Sequence, residues 1–579
     1  MTRRVVASVF VHNRCNDLFI SFSWGKTWNK WKKTNNLIAK LKFFLIFAAH
    51  YWQKPMFGNH DRKTLKPQTT MKLMKTFFTL LLTLVCGVAF AQRIGCVHHE
   101  LQHDSASGRA AKQANYYQLL PDPYDFDSEK IYRQPVVLIS FSDMDFSMSD
   151  PAAYYDRLFN ESGFNEGVGK GCVADYFREQ SGGRLNLQFD IYGPVKVDGT
   201  AGGHKGFYFG TSDMSKAISK LCETETNDFA IYDWDGDSLV NQVIFIAAGF
   251  TGNKVSGYIY PNTSFIFSSL PGGISPYFGS ISCELWADST VCGMGTIIHE
   301  FCHCLGLPDI YPLAPASNFS TVDEWDIMDG GNYTNKGWCP PNLSAMEKMY
   351  LGWDSPVELT EPVHIEGMKP LSDGGETYII RSSSNSDEFY LLENRRQEGW
   401  DYGCPGNGLL IFHVDYSKDS WCNSYVNTSD SHYRYDLFHA DGKDYLAWDP
   451  NNNGGDLNKW TMENWLRNSY LSTSPYPFTD PVTSVVNASL TDDSDPAATL
   501  FTANADGQLL MGKPVTNIQL ADDGTISFDF MKTEDITIMF PLFDSPANQG
   551  WYSFDGCSLG DKPTSKGLYI HNGQKVIVP

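Results

Sequence analysis

His299-Glu-Phe-Cys-His-Cys-Leu-Gly-Leu-Pro-Asp309 carries more structural information than any other part of the sequence. On a helix, residues four apart stand one above the other, so His299 and His303 share a face. Two imidazoles so placed can hold one zinc ion at about 2.0–2.1 Å. Glu300 projects toward the same space and is placed to take a proton from water, whose pKa a zinc ion lowers to about 7. Gly306 lets the helix stop, because glycine adopts the left-handed cap cheaply. The chain can then turn and bring in Asp309 as a third, carboxylate ligand at roughly 2.0–2.2 Å. The plainer reading is a buried helix with two satisfied histidines and a capping aspartate. Against it stand the apolar back of the helix (Ile297, Ile298, Phe301, Leu305) and Met328 downstream in Trp325-Asp-Ile-Met-Asp329, as a Met-turn requires.

Further motifs fall in order around this one: VVLISFSDMDF, DYFREQSGGRLNL, YDWDGDSLVNQVIF, WDIMDGG and PPNLSAMEKMYLGW, then FYLLENRRQEGWDYGCPGNGLLIFHVD and SDPAATL with GKPVTNI. With them the chain resembles the immune inhibitor A-like secreted metalloendopeptidases, a metzincin branch in which Asp replaces the third His. The resemblance covers most of residues 133–530. It implies that His299, His303 and Asp309 bind zinc, that Glu300 is general base and acid, and that Met328 lies beneath the metal. Cys302 departs from the pattern, replacing a small residue, and Cys304 follows it. Positions i and i+2 do not face each other on a helix, so both are read as small buried groups. Tyr333, five residues past Met328, is a candidate donor to the oxyanion.

Asp233-Trp-Asp-Gly-Asp-Ser-Leu-Val-Asn241 offers oxygens at its first, third, fifth and ninth positions. Asp233, Asp235, Asp237 and Asn241 are therefore candidate ligands of a structural calcium ion, which takes oxygen donors. A solvated acidic turn is the alternative. Asp441-Gly442 with Gly455-Asp456 is a weaker cluster of the same kind. Cys283 with Cys292, and Cys404 with Cys422, close short loops and are candidate bridges; spacing alone does not fix pairing. Cys96 could cap the zinc in a latent form.

The 579 residues comprise 45 Lys/Arg and 67 Asp/Glu, a net charge of −22. The basic groups are crowded at the start: residues 1–91 hold 15 Lys/Arg and two acids. MKLMKTFFTLLLTLVCGVAFAQ, from Met71, has the charged, apolar and small-x-small parts of a signal peptide cut before Gln92. Residues 1–70 are accordingly read as upstream sequence and 71–91 as the signal. The rest carries 30 basic against 65 acidic side chains, a net of −35, which argues against nucleic-acid binding. No later segment approaches 18 consecutive apolar residues, so no stable membrane insertion is expected.

Residues 92–132 are polar and aperiodic and read as a leader or short pro-region. Residues 133–355 mix buried strands (135–142, 243–248) with helices (near 168–181, 293–305 and 344–351), giving an α+β, metzincin-like zinc peptidase domain. Residues 356–535 alternate short strands with Gly/Asn/Asp turns, as an all-β, sandwich-like domain does. Residues 536–579 form a small β tail, with Asn572-Gly573 as a hairpin turn. Its GLYIHNGQK resembles the C-terminal sorting signals of type IX secretion cargo, which implies a secretion-machinery partner and passage through a periplasm to the surface or medium. The expected function is zinc-dependent hydrolysis of peptide bonds in extracellular proteins or peptides. The competing class is a catalytically idle, metal-stabilised surface or adhesion module, which would be expected to have lost Glu300 or a ligand.

Overall fold

The structure is a computed structural model describing residues 124–166, 168–201, 211–251, 258–266, 268–286, 288–312, 321–429, 432–443, 469–532, 550–553, 558–571 and 574–578. The upstream extension, the signal peptide, Cys96, Gly455, Asp456 and the Asn572-Gly573 turn lie outside these residues.

Strand β1 (Ile131–Ser140) is buried almost throughout, as expected of its apolar run. Helix α1 (Pro151–Asn160) starts where Asp150 accepts the Ala153 N–H, with proline in its first turn. Helix α2 (Val173–Gln180) carries a capping box between Cys172 and Asp175. It stops at Gly182 and Gly183, both at positive φ, and β2 (Asn186–Lys196) follows. Next come α3 (Thr211–Thr224), β3 (Leu239–Thr251), β4 (Tyr258–Ile259), β5 (Asn262–Phe265), β6 (Ser275–Leu285) and α4 (Gly295–Cys304).

The strands form one sheet in the order β2-β1-β3-β6-β5, with β4 beside the end of β3. All its pairs are parallel except β5 with β6, so an antiparallel strand forms that edge. Parallel sheets are covered on both faces, and period-2 alternation sends neighbours into different cores. Val136, Leu138, Ile244 and Ile246 pack with α1, α2 and α4. Val137, Ile139, Val243 and Phe245 pack with α3. Residues 136–139 are each fully buried, worth about 1.5–3 kcal/mol apiece. The expected α+β domain is thus a mixed α/β layer with helices on both sides.

Helix α5 (Ala345–Tyr350) begins with a capping box between Ser344 and Glu347. The following strands are β7 (Val357–Glu358), β8 (Val363–Met368), β9 (Tyr378–Arg381), β10 (Glu388–Arg395) and β11 (Gly408–Asp415). After α6 (Lys418–Cys422) come β12 (Tyr435–Leu437), α7 (Ser469–Ser472), the β13 (Phe478–Thr479) and β14 (Val486–Asn487) pair, β15 (Val515–Leu520) and β16 (Ile526–Phe530). Sheet β12-β11-β10-β9-β7 faces sheet β15-β16-β8 across a shared core of Ile380, Tyr390, Leu392, Ile411, Phe528 and Phe530. The region after α5 is thus sheet-rich, with two sheets over one core. In the tail, β17 (Trp551–Ser553), β18 (Gly567–His571) and β19 (Gln574–Val578) form an antiparallel sheet.

Packing among the described residues runs across two of the lines drawn from the sequence. Phe389, Leu391, Leu410 and Phe412, on the other face of the five-stranded sheet, belong to the same core as Ile298, Phe301 and Met328. A cut at 355/356 would therefore divide one core, because β10 and β11 are buried on both faces. Upstream, the fold begins by Tyr124 rather than at residue 133. Tyr124, Phe126 and Tyr132 cluster with Trp234 at centroid distances of 5.0–6.0 Å.

Candidate metal centre

All ten residues of α4 are buried. Its start lies against the backbone of the 3-10 segment Gly331–Gly337: a Cβ on Gly295 would lie 2.2 Å from the Asn332 carbonyl oxygen. Glycine there is a matter of space. At the other end Gly306 sits at φ 101°, and the chain turns back so that Leu307 N–H donates to the Cys302 carbonyl.

The turn brings three side chains together. Ligand atoms of His299, His303 and Asp309 lie within 4.8 Å of one another. Asp309 Oδ1 is 3.3 Å from His299 Nε2 and 3.4 Å from His303 Nε2, and all three residues are buried. The outer ring nitrogens are held by backbone: His299 Nδ1 is 2.7 Å from the Ile327 carbonyl and His303 Nδ1 is 2.8 Å from that of Leu307. Carbonyls only accept, so these bonds place the protons on Nδ1 and leave the Nε2 lone pairs facing Asp309. Burial alone would lower the His299 pKa, but Asp309 and Glu300 outweigh it and raise it. Two buried imidazoles beside a carboxylate form the donor set of a zinc site, and a cation would balance the local negative charge. The residues present therefore fit a metal ion.

Glu300 is buried, and its Oε2 accepts a hydrogen bond from Thr263 Oγ1 at 2.7 Å. The same hydroxyl lies 3.0 Å from the Glu300 carbonyl oxygen. Thr263 comes from edge strand β5, and the sequence offered no motif that would mark it. Met328 is fully buried. Asp326 Oδ1 accepts the Met328 N–H, Asp329 Oδ2 accepts those of Val322 and Asp323, and Met328 C=O accepts that of Ile310. With Ile327 holding His299, the WDIMD turn is part of the support for the centre. Tyr333 lies in the 3-10 segment against α4, its ring edge-on to Trp286 at 5.9 Å.

Asp233, Asp235 and Asp237 also converge within 4.8 Å, on a largely exposed turn. Burial first, then Asp235 and Asp233, raise the Asp237 pKa. Asn241 is held by hydrogen bonds of its own. It is buried, its Oδ1 accepts Trp234 N–H at 2.8 Å and its Nδ2 donates to the Tyr124 hydroxyl at 2.9 Å. These bonds tie the turn to the start of strand β3. Asp441 accepts from Lys443 N–H and Thr473 Oγ1.

Neither expected disulfide forms: all nine described cysteines are free thiols. Cys283 Sγ points to the Ile259 carbonyl and Cys404 Sγ to Asp401 Oδ1, each at 3.5 Å. Cys302 and Cys304 are buried, as expected.

A buried charged network was not anticipated. Fully buried Arg395 pairs with Glu393 Oε1 at 2.7 Å and Asp401 Oδ1 at 2.8 Å. Asp401 also accepts from Asn342 N and Nδ2, and Glu393 accepts the Ala345 N–H. Burial raises the pKa values of the Asp326 and Glu347 carboxyls, and Asp326 raises that of Glu347 further.

Two helical histidines, the glutamate that follows the first and a carboxylate from the following loop make a buried donor set suited to a metal ion. Residues 284–354 match the family model described as immune inhibitor A peptidase M6, catalytic domain. The pre-pro-metalloprotease PrtV of Vibrio cholerae serotype O1 is 22% identical over 249 residues, which is 36% of this chain and 27% of that protein. Immune inhibitor A of Bacillus thuringiensis subsp. alesti is 24% identical over 311 residues, 46% of this chain and 44% of that protein. The chain thus spans between 27% and 44% of the length of these curated relatives. No described helix is long and apolar enough to cross a membrane.

Proposed function

We propose that the chain is a zinc-dependent endopeptidase of metzincin type, acting on protein or peptide substrates outside the cell. The observation that carries this is the convergence of His299, His303 and Asp309 with Glu300 on the same buried helix. The similarity of residues 284–354 to the peptidase M6 model supports it.

His299, His303 and Asp309 would hold the ion, which when bound polarises a peptide carbonyl and makes water a better acid. Glu300 takes the proton of the attacking water and delivers it to the leaving amine. Thr263 fixes Glu300 Oε2 and so orients the carboxylate. The Nδ1 bonds to Ile327 and Leu307 keep both rings in the ligating tautomer. Met328 shapes the floor by packing. Tyr333 is proposed as the oxyanion donor. The intact Glu300 and complete donor set favour this reading over an idle adhesion module.

Calcium at Asp233, Asp235 and Asp237 belongs to the same proposal, supported by the clustering of three carboxylates. So do export through the Met71 signal and delivery by the C-terminal tail. Casein hydrolysis by the purified chain is the test. A zinc chelator should abolish it and added zinc should restore it; hydrolysis that survives full metal removal would refute the reading.

A further inference from the structure

Asp309 differs from its two partners in the centre. His299 and His303 are fixed by their helix, whereas Asp309 stands in an irregular stretch after it. Such a carboxylate must be ordered by something else before it can ligate well.

Within the peptidase layer the Met328 carbonyl accepts the Ile310 N–H; the further ordering groups come from the sandwich region. Asp309 N–H donates to Ser424 Oγ at 3.2 Å, across 115 residues. The next carbonyl, that of Ile310, accepts from Asn427 Nδ2 at 2.8 Å, across 117 residues. Asn427 is buried, and its Nδ2 also lies 3.0 Å from Thr321 Oγ1 and 2.8 Å from the Tyr435 carbonyl. Its Oδ1 accepts the Tyr435 N–H at 3.1 Å. One amide thus joins strand β12 to Ile310, next to the ligand, and to Thr321. Ser424 holds φ 57°, a left-handed conformation uncommon outside glycine. Burial of this kind requires polar groups to be satisfied, and here they are satisfied across the two regions.

We infer that Ser424 and Asn427 are positioning residues for Asp309, so that the metal centre is completed by the sandwich region rather than by the peptidase layer alone. The inference rests on the zinc reading of the site and adds that zinc affinity depends on residues 115 or more positions downstream of the ligand.

The test is chelator competition for zinc in the full chain, with the visible spectrum of the cobalt-substituted protein and thermal unfolding measured in parallel. Ser424→Ala should weaken zinc binding about tenfold and Asn427→Ala by up to about a hundredfold, the range found when groups that orient ligands are removed. Both should alter the cobalt spectrum, which reports ligand geometry. Val482→Ser, at an exposed position, should change neither. If Asn427→Ala does not fold, Ser424→Ala decides. Zinc affinity and cobalt spectrum equal to wild type in the folded variants would overturn the inference and leave the peptidase reading standing. A wild-type chain that takes up no zinc would overturn both.

Discussion

Thr263 Oγ1 donates to Glu300 Oε2 at 2.7 Å, joining the edge strand of the sheet to the metal helix. A hydrogen bond to a carboxylate contributes about 1.5–3 kcal/mol, and this one also orients the side chain. Thr263→Val keeps the shape and removes the hydroxyl. Its kcat should fall roughly 10- to 100-fold with KM little changed, while Thr263→Ser keeps most of the activity. Steady-state kinetics on a peptide substrate would show this; a wild-type kcat in the valine variant would contradict it.

Buried Asp326 and Glu347 make stability depend on pH. Burial raises both carboxyls, and the proximity of Asp326 raises Glu347 further. Arg395, Tyr435 and Ser344 are the charged and polar groups around them. A carboxyl raised on folding binds more protons in the native state, so stability falls as pH rises from the ordinary carboxylate range, about 4, through the raised value. Melting temperature in the zinc-loaded protein should decline over that interval. Glu347→Gln should flatten the decline; parallel curves would speak against a raised Glu347 carboxyl.

Arg395 balances Glu393 and Asp401 where all three are fully buried. Arg395→Met leaves two carboxylates without their cation and should cost about 3–5 kcal/mol. Denaturant unfolding would register it. A loss below about 1 kcal/mol would place the weight of the network elsewhere.

Gly295 sets propensity against space. Alanine is the better helix former by about 1 kcal/mol, yet its Cβ would meet the Asn332 carbonyl at 2.2 Å. Backbone cannot swing aside as a side-chain tip can. Gly295→Ala should therefore destabilise by about 1–3 kcal/mol, as overpacking does. An unfolding curve shifted to higher stability would show that the segment yields.

The legible parts of this chain were those in which local pattern and tertiary role agree. The His299–Asp309 spacing anticipated the donors that the fold brings together. Ser181-Gly-Gly marked the end of α2, and the turn-punctuated strands after Trp353 marked the sandwich. What escaped depends on contacts between distant segments. Thr263 sits in Asn-Thr-Ser-Phe, which reads as an ordinary polar strand. Ser424 and Asn427 lie over a hundred residues from the loop they hold. Asn241 fitted a calcium spacing, but its amide faces Trp234 and Tyr124. The 355/356 boundary looked natural because texture changes there, while the five-stranded sheet is buried on both faces.

The central claim is that Glu300 moves the proton at a metal held by His299, His303 and Asp309. The most direct measurement is casein hydrolysis by wild type and Glu300→Gln, compared at equal, independently measured zinc content. The variant should keep its zinc and lose activity by about two to four orders of magnitude. A zinc-loaded Glu300→Gln protein that hydrolyses casein at the wild-type rate would contradict the account.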